Sequence, residues 1–213
     1  VLTRISTEMH VKAYDMRIGG QENPLLNVEM VNDISSCNVI IDATANSQTF
    51  LALAAIAKRK HIPMVWGEIF GGGGGALMAR SLPSLDATPL EIRNHIYGVF
   101  EELEPIPEGK ANNYTVESIE QTYIASDADV SSLAASMTQF ILDALCTPET
   151  PSSYPYSAYL IGFRKYWIFQ CPFDTRPIDC SNALRSDSIT DLEAQDNSNK
   201  DELTISQVDT TNG

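Results

Sequence analysis

Residues 38–67 read NVIIDATANSQTFLALAAIAKRKHIPMVWG, and this stretch indicates the fold of the chain. It opens on a β-branched run that ends at Asp42, a pattern typical of a strand buried on both faces of a parallel sheet. A helix is predicted over 47–61, capped by Asn46 or Ser47, because apolar residues recur at helical spacing and cations gather in its last turn. A second strand is predicted over 62–67, so the stretch is a βαβ unit.

Further elements are predicted on both sides of this unit. Helices are expected over 23–36, 88–103 and 127–146, and strands over 10–18 and 76–80. The pattern of 158–169 predicts a hairpin centred near Arg164 and Lys165. The predicted class is therefore α/β: an incomplete Rossmann-like, mostly parallel sheet with flanking helices, plus a C-terminal β-hairpin. Residues 1–180 are expected to form the domain, and 181–213 a disordered acidic tail.

Composition narrows the function classes. The 213 residues carry a formal charge of −14, which disfavours binding to nucleic acid because an acidic chain repels phosphate. No apolar run reaches the length of a membrane span. The four cysteines form no CxxC pair, which favours a reducing, cytoplasmic compartment. Because the chain opens with Val1 rather than Met, we expect a piece of a longer protein.

Gly71, Gly73 and Ala76 satisfy the letters of a dinucleotide-binding motif. Such a motif must open a helix, whereas a strand is predicted directly after it, so a turn is favoured over a phosphate site. A nicotinamide-dependent oxidoreductase is therefore a minor alternative.

The histidines and cysteines offer weak candidate sites. His10, His61 and His95 stand far apart and form no metal-ligand pair. Cys37 and Cys146 are expected to be buried small residues without a depressed pKa. Cys171 and Cys180 flank a Pro-containing segment, which favours greater exposure.

Asp42 is the sharpest candidate for a functional residue. A carboxylate at the end of a parallel strand can ligate Mg²⁺ or bind a ribose hydroxyl. Asp42 and Asn46 could equally shape the turn and cap the helix. Spacing alone leaves the two interpretations open.

At these residues the chain resembles the ThiF/MoeB/HesA adenylyltransferases, which are related to the ubiquitin-activating enzymes. The resemblance covers residues 10–180 approximately. It rests on five segments: the Asp42-Ala43-Thr44-x-Asn46 turn, the helix after it, the run Pro63-Met64-Val65-x-Gly67, and the later segments 127–131 and 172–178.

The resemblance implies ATP- and Mg²⁺-dependent adenylylation of the C-terminal glycine carboxylate of a ubiquitin-like or sulfur-carrier protein. Asp42, Thr44 and Asn46 would line the ATP pocket, with Asp42 also a metal ligand, and the region 67–75 would lie near the carrier's tail. Family members usually pair, so a homodimer is expected.

The chain departs from the family pattern at several points. Ala45 stands where the family has an acid that helps to position Mg²⁺ and ATP. Nothing in residues 1–37 matches the family's ATP loop, so we expect only the C-terminal half of such a domain. No cysteine follows the predicted strand 76–80, where many relatives carry a thioester nucleophile. The alternative function is therefore a non-catalytic module that binds a ubiquitin-like partner or dimerises.

Overall fold

The computed structural model describes residues 10–18, 23–83, 85–103, 105, 110–112, 115–117, 122–146 and 151–183. A 3₁₀ turn, Gly71–Gly73, joins the second and third strands. In chain order the elements are α1 (Pro24–Ile34), β1 (Ile40–Asp42), α2 (Ser47–Lys60), β2 (Met64–Phe70), β3 (Gly75–Ser81), α3 (Pro89–Glu102), β4 (Lys110–Asn112), β5 (Thr115–Glu117), β6 (Thr122–Ile124), α4 (Asp127–Cys146), β7 (Ala158–Gly162) and β8 (Thr175–Ile178).

The predicted helix starts are confirmed, each with a local cause. The Asn23 side chain accepts a hydrogen bond from the Leu26 N–H at 3.1 Å at the start of α1. Asn46 does the same for α2, accepting from the Thr49 N–H at 3.0 Å. Such caps satisfy backbone donors that have no partner inside the helix.

The βαβ unit at 38–67 is confirmed. Strands β1 and β2 pair in parallel, with Ile40 opposite Met64 and Asp42 opposite Trp66. Helix α2 connects them. Asp42 therefore lies at the carboxyl end of a parallel strand, as the sequence predicted.

The sheet has five strands in the order β1-β2-β3-β7-β8. The α/β class with an open sheet and flanking helices is confirmed, but the prediction of a mostly parallel sheet is wrong. Only β1 and β2 are parallel, and the other three pairs are antiparallel. The glycine turn between β2 and β3 explains the first of these, because parallel strands need a crossover of about a dozen residues.

Each face of the sheet is covered by helices. On one face, apolar side chains of the sheet pack against α2 and α3, with Phe50 of α2 and Ile92 and Ile96 of α3 buried. On the other face, Val65, Ile69, Ala76 and Met78 pack against α4. Successive side chains along β2 and β3 therefore point to the two faces in turn, as the twofold side-chain period of a strand requires.

The predicted strand at 10–18 is wrong, because the segment has no strand partner among the described residues. It lies along α1 instead, where Lys12 Nζ donates to Glu29 at 2.8 Å and to Asp33. A charged pairing with helix side chains thus replaces the expected sheet hydrogen bonds.

A C-terminal hairpin is present, but its second strand is β8, beyond the predicted range of 158–169. Residues 163–174 form a longer connection that contains a single bridge between Tyr166 and Phe169. The predicted acidic tail falls outside the described residues except for 181–183, and Ala183 there is buried in the core.

A second, three-stranded antiparallel sheet in the order β4-β5-β6 lies against the glycine turn. The sequence pattern predicts none of these strands. No helix within the described ranges is both long and apolar enough to cross a membrane.

Candidate functional site

Asp42, Thr44 and Asn46 form one hydrogen-bonded turn between β1 and α2. Asp42 is 4% exposed, and its Oδ1 accepts hydrogen bonds from the Thr44 N–H at 2.9 Å and from Thr44 Oγ1 at 2.6 Å. Thr44 Oγ1 in turn accepts from the Asn46 N–H at 3.3 Å. The structure therefore brings the three predicted site residues together, and it also gives Asn46 its capping role.

Ala45 occupies the middle of this turn in the left-handed backbone region, with φ of 50°. Asn and Asp adopt that region more readily than Ala does. Position 45, where the resemblance expects an acid, thus has a backbone suited to one.

A narrow cleft opens beside the turn, with about 310 Å³ of empty space up to its mouth. That figure includes open solvent, and the enclosed part of the cleft is about 20 Å³, room for about one water molecule. Asp42 and Asn46 line the cleft. Thr44 is not part of the lining, but its N–H and its hydroxyl donate hydrogen bonds to the Asp42 carboxylate. The lining comes from β1 and its turn, β2, β3, α2 and α3: Asp42, Ala45, Asn46, Phe50, Trp66, Gly67, Glu68, Leu77, Arg93 and Tyr97.

Glu68 is a second carboxylate in this cleft. Asp42 pairs with Trp66 across β1 and β2, and side chains alternate along a strand, so Glu68 lies on the same face as Trp66. Burial raises the pKa of Glu68, the nearby Arg93 lowers it in part, and the Asp42 charge raises it further. The cleft therefore contains two carboxylates. Glu68 binds its proton more tightly than usual, and Asp42 accepts hydrogen bonds from Thr44.

Arg93 lies at the same cleft, fixed by aromatic rings and hydroxyls. Its guanidinium carbon is 4.3 Å from the Phe50 ring centroid and 5.1 Å from that of Tyr97. Nε and Nη2 donate to Tyr97 Oη at 3.0 and 2.9 Å, and Nη2 also donates to Ser47 Oγ at 3.0 Å. Arg93 thus projects from α3 onto the first residue of α2.

Trp66 contributes a buried donor to the cleft wall. Its side chain is 5% exposed and packs edge-on against Phe50, with ring centroids 5.3 Å apart. Within the described part of the chain, its indole Nε1 has no hydrogen-bond partner. A buried N–H without an acceptor carries an energetic penalty of about 1–3 kcal/mol.

No role was predicted from the sequence for Glu68, Trp66, Arg93 or Tyr97. Glu68 carried a signal, since it is the lone acid in an otherwise apolar strand, but the strand was predicted to end at Gly67. The sequence around Arg93 contains no signal of a role, because the position of Arg93 at the cleft depends on how α3 packs on the sheet.

The glycine run forms a turn, as predicted, and no helix follows it. Gly71 and Gly73 have φ of 59° and 81°, which favours glycine. Tyr166 packs so closely on Gly71 and Gly74 that an added Cβ would lie 2.5 and 2.3 Å from its ring. The run therefore lacks the helix start that a dinucleotide site requires.

Three of the four cysteine predictions are wrong, those for Cys37, Cys146 and Cys180. Cys37, Cys146 and Cys171 are exposed, whereas Cys180 is buried. Cys37 lies in the connection after α1 and Cys146 ends α4, so neither packs into the core. Burial, together with Asp86 and Asp179, raises the pKa of the Cys180 thiol to about 12, which leaves it unreactive.

The described residues contain no group of three or more His, Cys, Asp and Glu side chains placed to hold a metal ion. The three histidines are accordingly scattered. His95 Nε2 lies 2.8 Å from the backbone oxygen of Asp179, which ties α3 to the segment after β8.

A second buried arginine, Arg80, lies on the opposite face of the sheet. It is 4% exposed, and Nη1 donates to Asp143 of α4 at 2.5 Å. Nη2 donates to Ser152 Oγ and to the Tyr154 carbonyl at 2.8 and 2.9 Å. This group joins β3, α4 and the segment before β7, and it opens on no cleft described above.

Comparisons with known proteins add little to this geometry. No protein-family model matches the chain, and no curated protein matches it. Among solved structures, the chain is similar to the protein of "Crystal Structure of SeMet PaaA", with 12% sequence identity and a TM-score of 0.41. The similarity covers 72% of this chain and 45% of that one, so the chain spans less than half of that protein.

Proposed function

We propose that this chain belongs to an enzyme that uses ATP and Mg²⁺ to adenylylate the C-terminal carboxylate of a ubiquitin-like or sulfur-carrier protein. The observation that carries the proposal is Asp42, which is buried at the carboxyl end of parallel β1 and lines a cleft beside the start of α2. Ligands of open sheets bind beyond the carboxyl ends of parallel strands, and helix starts favour anions.

The donors of the cleft fit a magnesium ion. Mg²⁺ is commonly bound through one or two carboxylates together with the phosphates of its substrate. Asp42 and Glu68 would hold it here, Glu68 supplying the second carboxylate that is missing at Ala45. When bound, Mg²⁺ would neutralise charge on the triphosphate.

The size of the cleft limits what it would hold. The enclosed part has room for about one water molecule, so the glycine carboxylate and the phosphoryl group would meet at the open mouth of the cleft rather than inside it. In the reaction a carboxylate oxygen bonds to the α-phosphorus and pyrophosphate leaves. Arg93 would counter the negative charge that gathers there, already oriented by Tyr97 and Ser47.

The test is ATP–pyrophosphate exchange with Mg²⁺ and a carrier protein that ends in Gly-Gly. It should be run on this chain and on the longest natural chain that contains it. We expect exchange that requires the carrier, and a loss of about 10- to 100-fold in Asp42→Asn. Glu101→Gln, which removes an exposed acid from α3, is the matched control. Absence of exchange from both chains, or exchange that ignores Asp42→Asn, would refute the enzymatic proposal.

A specific observation favours the alternative function, a non-catalytic module that binds a ubiquitin-like partner. Oδ1 of Asp42 already accepts two hydrogen bonds from Thr44, as a purely structural turn would require. Capture of a Gly-Gly carrier in equal amounts with and without ATP would support this alternative. ATP-dependent capture would argue against it.

We also propose a homodimer, on the ground that β1 and β8 are the edge strands of the five-stranded sheet in the described part of the chain, and an edge strand can pair with a strand of a second copy. Sedimentation velocity over a range of concentrations tests it. A cytoplasmic location is proposed from the four free cysteines, three of which are exposed.

A further inference from the structure

We propose that the basic turn at the end of α2 binds the acidic C-terminal segment of the same chain, residues 184–213. The basic turn consists of Lys58, Arg59, Lys60 and His61, and all four side chains are exposed. The 14 residues of α2 place this turn about 20 Å from the cleft, which lies at the other end of the helix. The role of the basic turn therefore does not rest on the proposed function.

The first argument is the excess charge of the basic turn. The helix macrodipole puts about half a negative charge at the end of α2, whereas Lys58, Arg59 and Lys60 bring three full positive charges. The ion pairs of the described residues use other cations, namely Lys12, Arg80, Arg164 and Arg176. The turn is therefore positively charged within a chain whose formal charge is −14.

The second argument is the shape of the surface around His61, which has a depression on each side. Lys58 and His61 line one depression of about 220 Å³, and Lys60 and His61 line another of about 500 Å³. Ile62 lines both, and the exposed Leu145 of α4 lines the larger one. This surface suits an extended peptide with acidic and aliphatic side chains better than it suits a compact anion.

One carboxylate of the described residues, Asp86, lines the smaller depression beside Lys58. It accepts hydrogen bonds from the Leu82 N–H at 2.9 Å and from Ser157 Oγ at 2.6 Å. The ion pairs within the described ranges do not include it. Asp86 is thus bonded to its own neighbours, and Lys58 remains available to another carboxylate.

The third argument is the composition of residues 184–213, which lie outside the described residues. Their sequence has seven acidic side chains against two basic ones. The part 187–196 reads DSITDLEAQD, in which four acids are interspersed with Ile189 and Leu192. This mixture of charge and aliphatic side chains complements a basic turn flanked by depressions that Ile62 lines.

The fourth argument is the place from which this segment starts. Ala183, the last described residue, is buried in the same core cluster as Ala57 and Ile62, which lie beside the basic turn. Ten further residues span up to about 33 Å, so the part 187–196 is within reach of the turn. Attachment to the same molecule raises the effective concentration of the segment to about the millimolar range, which compensates for the weakness of surface ion pairs.

The test is cross-linking of the full chain with a carbodiimide, which joins an amine to a carboxylate in contact with it, followed by peptide mass spectrometry. Chains labelled with ¹⁴N and with ¹⁵N are mixed, so that links within one chain can be told from links between two copies. Lys12, whose Nζ lies 2.8 Å from Glu29, is the positive control. Lys165, an exposed lysine between β7 and β8, is the comparison.

We expect Lys58 and Lys60 to form links with acids of 184–213 within one chain, about tenfold more often than Lys165 does. Raising the salt concentration from about 20 mM to about 500 mM should lower this yield about fivefold or more, because salt screens exposed charges.

A pair of variants tests whether the charge of the turn is responsible. Arg59→Gln keeps both reporter lysines and should lower the yield of links about two- to fivefold. Arg17→Gln removes an exposed arginine outside α2 and should leave the yield unchanged. Circular dichroism checks that each variant folds.

The proposal is overturned if Lys58 and Lys60 form no links with 184–213 while Lys12 links to Glu29. Equally frequent links from Lys165, or an unchanged yield in Arg59→Gln, would also overturn it. Links that join a ¹⁴N chain to a ¹⁵N chain would assign the surface to a second copy and would contradict the proposal in the same way.

Discussion

Two arginines lie over aromatic rings on opposite faces of one sheet, and they differ in what surrounds their charge. Arg80 lies 4.6 Å from the Phe140 ring centroid and is paired with Asp143. Arg93 lies at a similar distance from Phe50 but has no ion-pair partner among the described residues. The first arrangement joins elements and encloses its charge, although Arg80 Nε has no hydrogen-bond partner among the described residues. The second places a guanidinium and two carboxylates at one cleft.

The largest expected effect on stability comes from removing Asp143, the carboxylate that pairs with Arg80. Asp143→Ala leaves the Arg80 charge buried and unpaired, which should lower the free energy of unfolding by about 3–5 kcal/mol. Arg93→Gln should lower it by less than about 1 kcal/mol, because a half-buried group bonded only to hydroxyls is lost. Urea denaturation of both variants measures the contrast. Equal losses would mean that Arg93 is a structural residue like Arg80.

The two regions should also respond to pH with opposite signs. Burial raises the pKa of Glu68 above 4.5, so the folded state holds that proton more tightly, and stability falls as pH rises through this window. Burial also acts to raise the pKa of Asp143, but hydrogen bonds from Ser152, the Ser153 N–H and Arg80 outweigh it. The net pKa lies below 3.8, so stability is lost as pH falls through that lower range.

Denaturation across an acid-to-neutral pH series separates these signs. Glu68→Gln should remove the fall in stability above pH 4.5, and Asp143→Asn should remove the loss at low pH. If the free energy of unfolding depends on pH in the same way in the two variants, the contrast between the regions is contradicted.

A smaller effect is expected inside the Asp42 turn. Thr44→Val deletes the hydroxyl that donates to Asp42 at 2.6 Å, which should reduce stability by about 1 kcal/mol. Thr138→Val is the matched control, since the Thr138 hydroxyl bonds only to a carbonyl on the exposed side of α4. If the two variants unfold at the same urea concentration, Thr44 does not hold Asp42 in place.

The parts of the molecule that could be predicted from the sequence are those governed by local contacts. Asn46 caps α2 within three residues of itself, and the β1-α2-β2 unit follows from periodicity along one stretch. The predicted strands at 62–67 and 76–80 stop short of the ends of β2 and β3, so the sequence analysis did not show how tight the turn between them is. β2 runs to Phe70 and β3 begins at Gly75, which leaves room only for an antiparallel hairpin.

The candidate site shows the same division. Asp42 was identified because a strand end is visible in the sequence. Glu68 and Arg93 were not, because they reach the cleft from β2 and α3, which meet only once the sheet and helices have packed. The side chains that give the cleft its charge therefore depend on long-range packing rather than on any motif.

The close packing of Tyr166 on the glycine turn has a consequence for how the chain matures. The turn contains three residues with positive φ and emerges from the ribosome well before Tyr166 does. Until then, β4–β6 and the start of α4 can reach the turn, but its Gly71 and Gly74 side lacks the Tyr166 ring. Synthesis of the segment between β7 and β8 therefore completes the cover of the turn, and a nascent chain stopped short of it should be more open to protease at Gly71–Gly74 than a chain that includes Tyr166.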